Sequence, residues 1–146
     1  MNRITLAIAI LAISMIFIAW KPITKYTLAS AQHETQASVT APYRKITPQE
    51  AKTLMDSRKD LIVLDVRTPA EFAEGHIEHA INLANETIGS TRPSLLPDLD
   101  ATILVYCRSG ARSAQASRKL LSLGYTQVYD FGGIINWPYD IVRLSD

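Results

Sequence analysis

The chain has 146 residues, 47% of them hydrophobic and 20% charged, with a net charge of +1. This length suits one domain with an appendage, and the near-neutral balance excludes the basic footprint of a nucleic-acid binder. A single cysteine excludes an intramolecular disulfide, a CxxC redox pair and a multi-cysteine zinc site.

Met1-Asn2-Arg3 precedes an apolar run from Ile4 to Trp20, broken only by Thr5 and Ser14. As a helix it spans roughly 26 Å, slightly short of the ~30 Å hydrocarbon core, with Trp20 and Lys21 placed to reach the interface. Residues 1–21 are therefore expected to be a signal peptide or a transmembrane anchor that meets the membrane through residues 4–20. Ala29-Ser30-Ala31 offers a cleavage pattern but lies beyond Lys21 and Lys25, and the run exceeds a usual signal core. An uncleaved anchor is preferred. Arg3 argues for the N-terminus inside and Lys21 and Lys25 against it; export to the periplasmic side is the favoured outcome. Residues 22–42 lack periodicity, are rich in Thr, Ser, Ala and Gln, and read as a flexible linker.

From Tyr43 to the C-terminus the pattern becomes regular. Thr47-Pro48-Gln49-Glu50 is a capping box with proline at the first helical position, which predicts a helix to about Ser57 with Ala51, Leu54 and Met55 inward. Leu61-Ile62-Val63-Leu64 is a continuous apolar run, expected of a parallel strand covered on both faces. Thr68-Pro69-Ala70-Glu71 is a second capping box, opening a short helix that Gly75 ends. A short strand follows over Ala80–Leu83, and Asn85–Asp100 is weakly patterned, with part of it expected as helix. Ala101–Tyr106 is the clearest strand, being short, apolar and β-branched. A helix is expected from about Ser113 to Leu123, with Gly124 as its C′ residue. Gln127–Asp130 is the last strand, and Gly132-Gly133 is expected to turn the chain into a final short helix near Ile134–Trp137. Alternating strands and helices predict an α/β domain with a central, mainly parallel sheet.

Between the strand ending at Tyr106 and the helix starting near Ser113 lies Cys107-Arg108-Ser109-Gly110-Ala111-Arg112. Ligands of open parallel sheets bind at the carboxyl ends of strands. A helix N-terminus there offers free N–H groups and a favourable dipole to an anion. Gly110 lets successive N–H groups turn inward as a nest, and Arg108 and Arg112 add positive charge. Such a loop favours the thiolate form of Cys107, the nucleophilic one. The same N–H groups would hold a terminal sulfur or an oxyanion bound to it. A lone cysteine is usually inert and buried; this strand–loop–helix setting argues for a reactive one.

The block Y-C-R-S-G-A-R-S-A, the upstream D-V-R-T-P-A-E-F-A-E-G-H-I and the downstream G-G-I-I-N-W together resemble the rhodanese domain, a sulfurtransferase family. The resemblance runs from about Tyr43 to the C-terminus. It implies a three-layer fold with a five-stranded parallel sheet between helices. It also implies that Cys107 accepts sulfane sulfur from a donor such as thiosulfate and yields it to cyanide or a thiol, with no cofactor. On the same ground Arg108, Ser109, Gly110, Ala111, Arg112 and Ser113 form the substrate loop, Arg108 contacts an oxyanionic donor, Arg112 closes the loop and Ser113 caps the helix. A protein sulfur acceptor fits this chemistry, and a membrane tether would raise the local concentration near one.

Asp65 and Arg67 are expected as supporting residues at the end of a central strand, and Arg67 and Glu71 are spaced to pair across the turn. All three also read as structural fixtures of the strand-to-helix corner. His76, in G-H-I, is assigned to the scaffold, since a preformed thiolate needs no base. His79 and His33 are expected in solvent, and three scattered histidines give no metal site. Phe131 and Trp137 read as core. The competing reading is a rhodanese-like phosphatase or arsenate reductase. Those enzymes place five residues between the cysteine and the arginine, whereas here four residues separate Cys107 from Arg112 and the next position is Ser113. The shorter loop makes a smaller bowl, suited to a sulfur atom. A non-enzymatic module of this fold typically lacks the cysteine.

Overall fold

A computed structural model describes residues 41–143. The expected membrane segment, His33 and nearly all of the linker lie outside them. Among the described residues no helix is long and apolar enough to cross a membrane.

The elements follow in the order β1 (Arg44–Lys45), α1 (Pro48–Ser57), β2 (Leu61–Asp65), α2 (Pro69–Glu74), β3 (Ile81–Asn82), β4 (Thr102–Cys107), α3 (Ala111–Ser122) and β5 (Gln127–Gly133). Single 3₁₀ turns occupy Asn85–Thr87 and Ile134–Asn136. The strands form one five-stranded sheet in the order β1-β5-β4-β2-β3, and every pairing in it is parallel. The α/β fold with a central parallel sheet is thus the one expected.

Both capping boxes form. Thr47 and Thr68 each accept from the amide three residues on, and Glu50 and Glu71 reach back to the cap amides, so two orphan donors are satisfied at each helix start. At the far end of α3, Gly124 adopts φ +98°. Its N–H bonds Leu121 O while Tyr125 N–H bonds Leu120 O, the paired C-terminal motif that a left-handed residue permits.

The six residues of β4 are all buried, as a strand covered on both faces requires. The period of two divides its side chains between two cores. Ile103, Val105 and Cys107 join Leu64, Val66, Leu96, Ala116, Leu120 and Tyr125 on the α3 side. Leu104 and Tyr106 join Ala51, Val63, Ile77, Phe131 and Trp137 on the α1 side. The sheet is therefore the middle of three layers, and Cys107 points to the layer that contains α3.

Three expectations change, and one strand was not foreseen. β1 is two residues long, too short for a periodic signal. Asn85–Asp100 contributes only one 3₁₀ turn, held down by buried Leu96. β5 does not stop at Asp130: it continues through Gly132 and Gly133, with a register shift opposite Val105 and Tyr106. The glycines that read as a turn serve instead as a bulge, with Gly132 at φ +91° and its N–H bonded to Asp130 Oδ1 at 2.9 Å. Helix α3 begins at Ala111, two residues earlier than expected.

Candidate active site

Cys107 is the last residue of β4, at the carboxyl end of the sheet's central strand, and only 1% exposed. The next three residues turn the chain into α3. Gly110 makes that turn at φ +107°, a left-handed conformation that costs a side-chain-bearing residue. Its N–H then points back and donates to Cys107 Sγ at 3.1 Å. An N–H dipole aimed at the sulfur stabilises negative charge there. The Arg108 and Ser109 amides bond no acceptor among the described residues, so the loop keeps further donors free.

Two neighbours hold the loop. Ile135 N–H donates to Arg108 O at 3.3 Å. Ser113 Oγ donates to Gly110 O at 3.0 Å, with Gly132 O at 3.2 Å as its second acceptor. Ser113 is thus not the helix cap. Gly110 is the cap and has no side chain for the role; fully buried Ser113 instead links the loop to β5. Gly133, paired with Cys107 in the sheet, lies against the loop so closely that a Cβ would meet Arg108 O at 2.4 Å and Ser109 Cα at 2.6 Å. The chain pattern signalled neither role, because both depend on β5 reaching past the bulge.

Arg108 and Ser109 are exposed, as is Ala111, and Arg112 is half-buried. Arg108 makes no hydrogen bond or ion pair through its side chain among the described residues. Arg112 is paired: its two terminal nitrogens donate to the two carboxylate oxygens of Glu71 at 2.8 and 2.7 Å. The Arg112 bonds, with those from Thr68, hold the Glu71 carboxyl down to about 2. The same bonds to Glu71 hold the Arg112 guanidinium above its usual range.

Glu71 therefore does not pair with Arg67, contrary to expectation. Arg67 lies before the cap of α2 and its side chain folds inward. It donates from Nε and Nη2 to both carboxylate oxygens of Asp65 at 2.6–3.0 Å, and to Gly75 O at 2.7 Å. Asp65 is fully buried and Arg67 is 6% exposed. Asn82 Nδ2 donates to the Asp65 and Arg67 carbonyls. Asp65 and Arg67 thus fix the corner between β2 and α2 and place no hydrogen bond on the cysteine loop. His76 belongs to the same scaffold. Its ring stacks on Phe72 at 3.8 Å, Nδ1 lies 3.0 Å from Phe72 O, and its backbone bridges Val142. His79 is exposed, whereas Phe131 and Trp137 are core.

Beside the loop runs a groove of about 370 Å³ lined by Glu71, Gly75, Ile134, Ile135, Trp137 and Ile141, among others. A larger cavity of about 540 Å³ lies between α1 and Trp137-Pro138-Tyr139; no residue of the Cys107–Ser113 loop lines either space, but the smaller one includes Glu71 and Ile135, which bond the loop.

Known proteins share this architecture and sequence. The family profile described as "Rhodanese-like domain" matches residues 47–138. A sulfurtransferase of Allochromatium vinosum is 45% identical over 80 residues, covering 54% of this chain and 73% of that protein. The thiosulfate sulfurtransferase PspE of Escherichia coli is 35% identical over 71 residues, covering 49% of this chain and 68% of that protein. Among solved structures, a rhodanese-related protein from Thermoplasma volcanium superimposes with a TM-score of 0.58 at 33% identity, over 68% of this chain and 98% of that one. The matched span holds β2, β4 and β5 together with the whole Cys107 loop, and on it the chain belongs to the rhodanese-like domain family.

Proposed function

We propose that this domain is a sulfurtransferase that carries sulfane sulfur on Cys107. The observation that supports it most directly is the Gly110 N–H aimed at Cys107 Sγ from a loop that opens a helix. In the first half-reaction the Cys107 thiolate attacks the outer sulfur of thiosulfate. The new S–S bond forms as the old one breaks, and its electron pair leaves with sulfite. In the second, cyanide or a thiolate attacks the outer sulfur of Cys107–S–S⁻ and regenerates the thiolate. Charge is conserved in both steps and no base is required. The loop's N–H donors stabilise sulfur-borne charge in each state, and Arg108 attracts the donor anion. With one cysteine in the chain, the accepted sulfur leaves to another molecule. A phosphatase would use its loop arginine on the phosphate, but Arg112 is already held at both ends by Glu71.

Intact-mass measurement after incubation with thiosulfate tests this. The wild type is expected to gain the mass of one sulfur atom and to lose it to cyanide, while Cys107→Ser gains nothing. An adduct that persists on Cys107→Ser overturns the assignment.

The apolar run of residues 4–20 and the polar stretch after it support a further part of the proposal: the domain is tethered to a membrane and exported. Its acceptor is then a thiol on that side, and a protein acceptor suits the tether. Fractionation with N-terminal sequencing is expected to find the protein in membranes with Met1 or Asn2 at its start. A protein in the soluble fraction that begins near Gln32 contradicts the anchor.

A further inference from the structure

The loop carries two arginines, but they do not meet a donor alike. Arg108 is exposed and unpaired among the described residues. Arg112 is closed off by a two-point ion pair at 2.7–2.8 Å. Both partners of that pair are only about a quarter exposed, which leaves little freedom to exchange with water. The pair also joins elements 41 positions apart in sequence. Glu71 is itself preset: Thr68 N–H and Thr68 Oγ1 both donate to its Oε2 at 3.0 Å, so its carboxylate is oriented by the helix start.

We propose that Glu71 is a positioning residue that sets the charge seen by the sulfur donor: by holding both ends of Arg112 it leaves Arg108 as the loop's one cation unpaired among the described residues, and so disfavours doubly charged donors relative to singly charged ones. The inference rests on the sulfurtransferase reading above and names the donor class it implies. A dianion such as thiosulfate gains more from each additional cation than a monoanion does, because Coulomb energy scales with the product of charges. Neutralising Glu71 releases Arg112 to the mouth and widens that difference.

Glu71→Gln is a clean probe, because glutamine also completes a capping box and so the start of α2 is retained. Steady-state rates are to be compared for thiosulfate, a dianion, and benzenethiosulfonate, a monoanionic donor of the same sulfur. Glu71→Gln is expected to lower the thiosulfate KM about three- to fivefold at low salt, while the benzenethiosulfonate KM changes by about half as much on a logarithmic scale. The thiosulfate KM of the variant is also expected to rise more steeply with salt than that of the wild type, since an exposed cation is screened. Equal changes for the two donors, or an unchanged or raised thiosulfate KM, overturn the inference. A structural role for Glu71 alone would move the denaturation midpoint and leave the ratio of the two KM values intact. Failure of the parent reading looks different: the wild type would then take up no sulfur on Cys107 from either donor.

Discussion

At Gly133 a side chain has no room. Its Cβ would sit 2.4 Å from Arg108 O and 2.8 Å from the Ser109 carbonyl carbon, and backbone atoms cannot rotate away as a side-chain end can. Gly133→Ala is therefore expected to push the cysteine loop off β5, costing about 1–3 kcal/mol, with persulfide loading of Cys107 reduced. Urea denaturation and intact-mass measurement check the two effects, and an alanine variant that loads normally would show that the loop tolerates the shift. Gly110 has the opposite constraint: space is available at 3.6 Å from Gly132 Cα, but φ is +107°. Of these features the sequence pattern disclosed Gly110, since a glycine between a strand and a helix marks a turn. It hid Gly133, whose tightness comes from a strand pairing. The same limit explains Ser113. A serine near a helix start reads as a cap, yet the left-handed Gly110 moved the cap three residues upstream and left Ser113 to bridge Gly110 O and Gly132 O.

Helix α2 has only six residues, too few to be stable from propensity alone. It persists because its cap, its proline and its tertiary ties act together. Glu71 closes the capping box and grips Arg112, so the start of α2 and the start of α3 are joined through one carboxylate. Thr68→Ala removes one side of that box and is expected to lower stability by about 1 kcal/mol. A denaturant midpoint that falls with an unchanged slope is the signature; no change in midpoint would mean that the Arg112 pair alone holds the helix start. Both capping boxes were legible because their residues are three positions apart and act locally. The choice of Arg112 over Arg67 as the partner of Glu71 was not legible, because local spacing permits the Arg67 pairing equally well. It is decided by Asp65, whose fully buried carboxylate takes Arg67 and leaves Glu71 facing outward.

The whole molecule presents its nucleophile where a parallel sheet offers it. β4 lies between β5 and β2, buried along its length, and all its neighbours run in the same direction. The loop after it therefore emerges at the carboxyl edge beside the loops after β2 and β5, which supply Glu71 and Ile135. Two apolar layers, one around Leu120 and Tyr125 and one around Phe131 and Trp137, clamp the strand from either face, so the cysteine rides on the most constrained element of the domain.

The sequence by itself determined the α/β class, the order of the main elements, the capped helix starts and the lone cysteine in a glycine-turned loop, since each depends on neighbours within a few positions and on the periods of helix and strand. Only the tertiary structure decided which carboxylate meets which arginine, that β5 extends through a bulge to wall the loop, and that Arg108, unlike Arg112, has no side-chain partner among the described residues. Those outcomes depend on strand register and on the packing of α2 beside α3, where residues 41 positions apart come within 2.8 Å. No local pattern encodes such a distance.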